Sequence, residues 1–99
     1  MAPYSISDLR RIIAPIAQAH GVESVSVFGS YSRGSASENS DVDLKIEKGQ
    51  LHSLFQLSRF RLAVEDALQL PVDLVTSEAS DGQFLEMIRQ EEVLLYRNT

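Results

Sequence analysis

Three aspartates and one Gly-Ser pair carry the chemistry this chain can do. Gly29 and Ser30 are followed by ten residues and then by Asp41-Val42-Asp43. In an extended strand, residues i and i+2 point to the same face. Asp41 and Asp43 therefore project side by side, with Cα atoms about 6.5–7 Å apart. Two carboxylates held that close repel unless a cation or a shared proton relieves them. Oxygen-only ligands favour a hard divalent ion, magnesium first. A third acid, Asp73, lies between Val72 and Leu74 in the run VDLV. A charge inside a buried apolar strand is costly unless it is paired or holds a metal. Gly29 has no Cβ and lets the backbone approach a ligand closely. Ser30 opens a short helical turn, Tyr31 to Arg33, whose amides and hydroxyl suit a phosphate. Together these residues describe a metal-and-phosphate site.

Each part alone also has a plain structural reading. Acidic strand ends are common, and a Gly-Ser pair after a strand is an ordinary turn. Asp73 suits an edge strand facing water equally well. The combination at this spacing, with each part at a strand end, is what gives the signal its specificity. Arg33, one turn beyond Ser30, can pair with a phosphate or remain a solvated loop arginine. Ser40 directly precedes Asp41 and is placed to bond a phosphate or orient a carboxylate. Lys45 is placed to screen the carboxylates, to touch a phosphate, or to sit at the solvated margin of the sheet; the last is the expectation.

The flanking elements position this constellation. Ser24 to Phe28 (SVSVF) and Val42 to Glu47 (VDLKIE) alternate and read as strands. Along the second, Val42, Leu44 and Ile46 face one way and Asp41, Asp43, Lys45 and Glu47 the other. Val72 to Val75 is a third, buried strand. A first helix is expected over Ser7 to His20, capped by Ser7, with Leu9, Ile12, Ile13 and Ile16 on its apolar face. Pro15 should bend it and Gly21 end it. A long helix is expected over Gln50 to Leu70, ended by Pro71. Its stripe of Leu54, Leu57, Phe60, Val64, Ala67 and Leu68 faces the sheet. A second stripe of Leu51, Phe55 and Leu62 packs on another helix or forms a partner surface. Ser80 or Asp81 caps a last helix reaching about Glu91, with Phe84, Leu85 and Ile88 inward. The run VLLY from Val93 to Tyr96 covers the core edge, with Tyr96 in packing. Gly34 to Ser40 reads as a mobile loop. The fold class is α/β (α+β): a two-layer unit with a small mixed sheet and helices mainly on one face.

Composition narrows the function classes. Ninety-nine residues make a single domain over 1–99. The net charge of −5 and the absence of a basic stripe argue against bulk nucleic-acid binding. No cysteine is present, which excludes disulfides and thiolate metal sites. His20 and His52 form no ligand spacing and read as surface residues. No apolar run reaches membrane-spanning length, so no membrane role and a cytoplasmic location are expected.

The stretch GSYSRGSASENSDVD resembles the GSx10DxD signature of the DNA polymerase β-like nucleotidyltransferases. The short chain, PVDLVTSEA and the terminal EEVLLY look like the minimal nucleotidyltransferases (MNT), the antitoxins of HEPN/MNT toxin–antitoxin pairs. The resemblance spans about Leu9 to Tyr96. It implies that Gly29 and Ser30, with Arg33 and Ser40 beside them, bind the nucleotide. It implies catalysis and metal binding by Asp41, Asp43 and Asp73. Two Mg2+ ions, with Mn2+ as a substitute, would lie about 3.5–4 Å apart. Asp73 would act as general base or lower the acceptor's pKa through the ion. The implied reaction moves AMP from ATP to a tyrosine hydroxyl of a cognate HEPN ribonuclease toxin, silencing it in a type VII toxin–antitoxin pair. A homo-oligomer or a hetero-oligomer with the toxin is expected, since the chain has no room for a second domain. Three other readings stay open: an antitoxin acting by sequestration, nucleotide transfer to a small molecule, and an RNA-binding or RNA-extending protein.

Overall fold

The computed structural model describes residues 2–78 and 81–98. The chain runs α1 (Ile6–His20), β1 (Ser24–Phe28), α2 (Ser30–Arg33), β2 (Val42–Glu47), α3 (Leu54–Leu68), β3 (Val72–Thr76), α4 (Gly82–Arg89) and β4 (Val93–Arg97). The four strands form one sheet in the order β3-β2-β1-β4. β1 pairs antiparallel with β2 and with β4, and β2 pairs parallel with β3. The sheet is therefore mixed, as expected, with β4 as a fourth strand beyond the three read from the sequence. The parallel pair is joined by α3, the crossover that such a connection requires.

Alternation decides which face meets the helices. Val25, Val27, Val42, Leu44 and Ile46 are fully buried. They meet Leu9, Ile13 and Ala17 of α1 and Phe60, Val64 and Leu68 of α3 in one continuous core. α1 packs on both α3 and β4. The opposite face of β2 carries Asp43, Lys45 and Glu47, and the Ser24 hydroxyl donates to Glu47 at 2.6 Å.

The first helix starts earlier than its apolar pattern suggests. Ser5, not Ser7, is the N-cap; its hydroxyl accepts from the Asp8 amide while Asp8 accepts from the Ser5 amide. This reciprocal box satisfies two otherwise unpaired donors. Ser5→Ala is expected to lower stability by about 1 kcal/mol. Ser7→Ala should change it by less than about 0.5 kcal/mol. Urea denaturation midpoints of the two variants check this. The helix runs through Pro15, which is exposed. The carbonyl left without its donor is that of Arg11, also on the solvent side, where water can serve it. Gly21 ends the helix in the left-handed region at φ 74°.

α3 is shorter than expected because Leu51 lies in a turn with its side chain in the core, and Ser53 then caps the helix. Its apolar residues divide differently from the two stripes read above. Phe60, Val64 and Leu68 are buried, but Leu54 is 84% exposed and Ala67 is also on the surface. Phe55 and Leu62 find no second helix and are exposed too. The VLLY run is a strand rather than a cover. Leu95 enters the core, and the register slips opposite Val25 and Ser26. His20 is not a free surface residue: its ring meets Phe60 edge-on at 5.7 Å, whereas His52 is exposed. Asp81 stands at the N-cap of α4, and Ser80 lies outside the described residues. Of the inward set, Ile88 is buried and Phe84 is 39% exposed, meeting Phe28 edge-on at 6.1 Å. Among the described residues no helix is long and apolar enough to cross a membrane.

Candidate active site

β2 is an inner strand, so Asp43 has a neighbour on each side. The register sets Phe28 of β1 against one flank and Asp73 of β3 against the other. Residues paired across adjacent strands share a face, so Asp73 arrives beside Asp43 although thirty positions separate them in sequence. The pocket of protein around Asp43 strips water from its carboxyl, and Asp73 then adds repulsion and a shared hydrogen bond. Asp41 contributes a weaker repulsion, partly offset by Arg33. The Asp43 pKa is pushed up to about 6. Asp43 thus holds a proton more readily than an ordinary carboxylate.

Asp73 is not buried, contrary to the sequence expectation. β3 is an edge strand and the Asp73 side chain is exposed. Its closeness to Asp43 comes from strand register, not from a dry interior. Asp41 lies just before β2 and is exposed. Among the described residues no three His, Cys, Asp or Glu side chains already converge as a ligand cage.

Gly29 meets the same carboxylate from β1. Its φ of 73° with ψ of −146° is a conformation open to glycine and strained for other residues. A Cβ built at this position would overlap the Asp43 Oδ2 oxygen. Both constraints exclude a side chain here. The backbone then turns into α2, where Ser30 is partly exposed and Tyr31 points inward. The Tyr31 hydroxyl is buried without a partner among the described residues, and burial raises its pKa.

Two acids that residue spacing did not single out complete the site. Glu91 and Glu92 lie between α4 and β4. The Gly29 amide donates to Glu91 Oε1 at 3.0 Å, and Arg33 Nη1 lies 3.2 and 3.1 Å from the two Glu91 oxygens. The Gly29 amide and Arg33 hold the Glu91 carboxyl below its ordinary pKa. Arg33 is therefore not a free loop residue: its Nη1 is held by Glu91, while its side chain stays 55% exposed. Lys45 is likewise not at a solvated margin. Its Nζ pairs with Glu92 at 2.9 Å, and its side chain is only 19% exposed. The signal available in the sequence was electrostatic: two adjacent glutamates after a helix end face an unfavourable dipole unless cations meet them.

Ser40 does not join the carboxylates. Its hydroxyl accepts from the Ser37 amide at 2.8 Å and lies 3.2 Å from the Ser37 hydroxyl. It closes a local turn within the loop that leads to Asp41. The Ser35 amide, bonded to the Ser30 carbonyl, ties the start of that loop to α2.

The arrangement is a mutually repelling acid pair on the polar face of a sheet, beside a glycine corner with an anion already bound to it. The sequence comparison decides what kind of site this is. Residues 11–99 match the model of the family described as Polymerase beta, Nucleotidyltransferase. The chain belongs to this nucleotidyltransferase family. A protein of Methanocaldococcus jannaschii, named as a candidate protein adenylyltransferase, is 36% identical over 89 residues. That match covers 90% of this chain and 96% of the relative. Protein adenylyltransferase MntA of Thermococcus cleftensis is 30% identical over 97 residues, covering 94% and 98% of the two chains. Among solved structures, a candidate minimal nucleotidyltransferase superposes with a TM-score of 0.79 at 29% identity, covering 94% of this nucleotidyltransferase and 98% of that chain. A chain from the complex of the tri-AMPylated Shewanella oneidensis HEPN toxin with its MNT antitoxin shares the fold at a TM-score of 0.72 and 16% identity. It is covered over 73% of its length and 94% of this one.

Proposed function

We propose that this nucleotidyltransferase moves AMP from ATP to a tyrosine hydroxyl of a HEPN-domain ribonuclease toxin and thereby silences it, as the antitoxin of a type VII pair. The observation that carries the reading is the placing of Asp43 between Asp73 and the side-chain-free corner at Gly29. The names of the MntA relative and of the toxin–antitoxin complex that shares the fold support the acceptor.

The donor set fits a divalent cation. It is all oxygen, and its central member carries a proton near pH 6 that a cation would replace. Asp41, Asp43 and Asp73 would hold magnesium, or manganese in its place. Bound there, the metal would neutralise the triphosphate and acidify the acceptor hydroxyl. Gly29 and Ser30 would seat the phosphates from the opposite side through backbone and hydroxyl donors. Asp73, exposed on the edge strand, would take the proton of the incoming hydroxyl. The acceptor oxygen forms a bond to the α-phosphorus, the bond to the bridging oxygen breaks, and pyrophosphate leaves. Arg33 would stabilise the charge that develops on it.

Intact-mass spectrometry tests the reading. A HEPN partner incubated with the protein, ATP and magnesium should gain one or more AMP units, and the gain should vanish when magnesium is chelated. A stable complex with no mass gain would instead indicate neutralisation by binding.

A further inference from the structure

Two of the donors that a substrate phosphate would use, the Gly29 amide and Arg33 Nη1, are already taken by Glu91. Its two oxygens bond the Gly29 amide and the Arg33 guanidinium at 3.0–3.2 Å. An anion gripped by a backbone amide and an arginine is the arrangement by which proteins bind phosphate. Here the anion belongs to the same chain, 62 residues beyond Gly29 and 58 beyond Arg33. The contact is thus a product of the tertiary fold. We infer that Glu91 is a resident competitor for the nucleotide, and that its carboxylate must leave the Gly29 amide and Arg33 before a phosphate of ATP can bind them. The inference rests on the reading of this corner as the nucleotide site.

The two neighbouring ion pairs differ in a way that suits such a swing. Lys45 and Glu92 are both largely buried, with side chains 19% and 18% exposed, so this pair anchors the turn. Arg33 and Glu91 are 55% and 30% exposed, so water can take over their partners. The segment is fixed at Glu92 and releasable one residue earlier. Apparent affinity falls in proportion to the fraction of molecules in which the competitor is away. A contact closed in about nine-tenths of molecules weakens nucleotide binding about tenfold. A glutamate that merely positioned Arg33 for the phosphate would have the opposite effect on affinity when removed.

The deciding experiment is calorimetric titration of ATP with magnesium into the wild type, Glu91→Gln, Glu91→Asp and Arg33→Ala. Glu91→Gln, which keeps the shape but loses the charge, should bind ATP about tenfold more tightly than wild type. Glu91→Asp, charged but too short to reach both donors, should fall between them. Arg33→Ala should bind more weakly than wild type. Circular dichroism confirms that each variant is folded. Wild-type binding with Glu91→Gln and Glu91→Asp no tighter, or weaker, overturns the inference and leaves the nucleotide site standing. No binding by any of the four proteins removes the nucleotide reading, and the inference with it.

Discussion

Asp43→Asn should abolish nucleotidyl transfer and at the same time make the protein more stable at pH 8. Transfer is expected to fall by about a thousand-fold or more, the scale of losing a main electrostatic contributor to a polar reaction. The stability effect follows from the raised pKa. In the unfolded chain Asp43 titrates near the ordinary carboxylate value of 3.8, and in the fold it is pushed up to about 6. The folded state therefore binds the proton more tightly. This contribution is fully present below about pH 3.8 and is lost as pH rises through about 6. Above that, Asp43 is ionised beside Asp73 and burdens the fold. Taken at face value the shift corresponds to about 3 kcal/mol. The carboxyl is partly exposed and water screens it, so about 1 kcal/mol is the reasonable expectation. Urea denaturation of wild type and Asp43→Asn at pH 5 and pH 8 reads this directly. The variant's advantage should appear at pH 8 and shrink toward pH 5. An equal gain at both values would show that the Asp43 charge is not its source.

The second large effect is expected at Gly29. Gly29→Ala places a methyl group where Asp43 Oδ2 now lies and forces a residue with a Cβ to adopt φ 73°. The backbone strain alone should cost about 2 kcal/mol. The displaced carboxylate should lower transfer by about 100-fold, as misplacement by about an ångström does. The two causes separate in a double-mutant cycle. In an Asp43→Ala background the oxygen is gone, so Gly29→Ala should cost only the backbone term. Stability loss unchanged by the Asp43 substitution would mean that the methyl group finds room elsewhere. The coupling energy from four denaturation curves settles which holds.

Much of this site was legible before any coordinates. Alternation fixed the faces of β2, because a strand buried on one side has a period of two, whereas β1 alternates in residue type although all five of its residues are buried. The outward position of Asp43 followed from the β2 alternation, whereas Asp41 lies just before β2 rather than on it. Asp73 was found for a partly mistaken reason. Its apolar neighbours suggested burial, but Val72 and Leu74 turn toward α3 while Asp73 faces water on an edge strand. Nothing in a run of four residues distinguishes an inner strand from an outer one. Glu91 and Glu92 were missed because their partners, Arg33 and Lys45, are dozens of positions away. Only the tertiary fold brings them together. VLLY shows no clean alternation because the register of β4 slips at Leu95, the buried residue in its middle. The apolar stripes of α3 misled in another way. Leu54, Phe55 and Leu62 have the residue types of a core and the exposure of a surface.

The edge position of β3 has one more consequence, for handling the protein at high concentration. An outer strand can recruit the same strand of another copy, although here the Val72 amide is already held by Glu65 at 2.8 Å. The segment Val72–Thr76 is rich in β-formers and apolar residues, and Asp73 is its sole charge. Such segments aggregate readily once their charge is removed. The carboxylate proposed for the metal site is thus expected to guard against self-association as well. Neutral substitutions at Asp73 are expected to lower solubility as well as the proposed activity, so inactivity in such a variant has to be read from its monomer fraction.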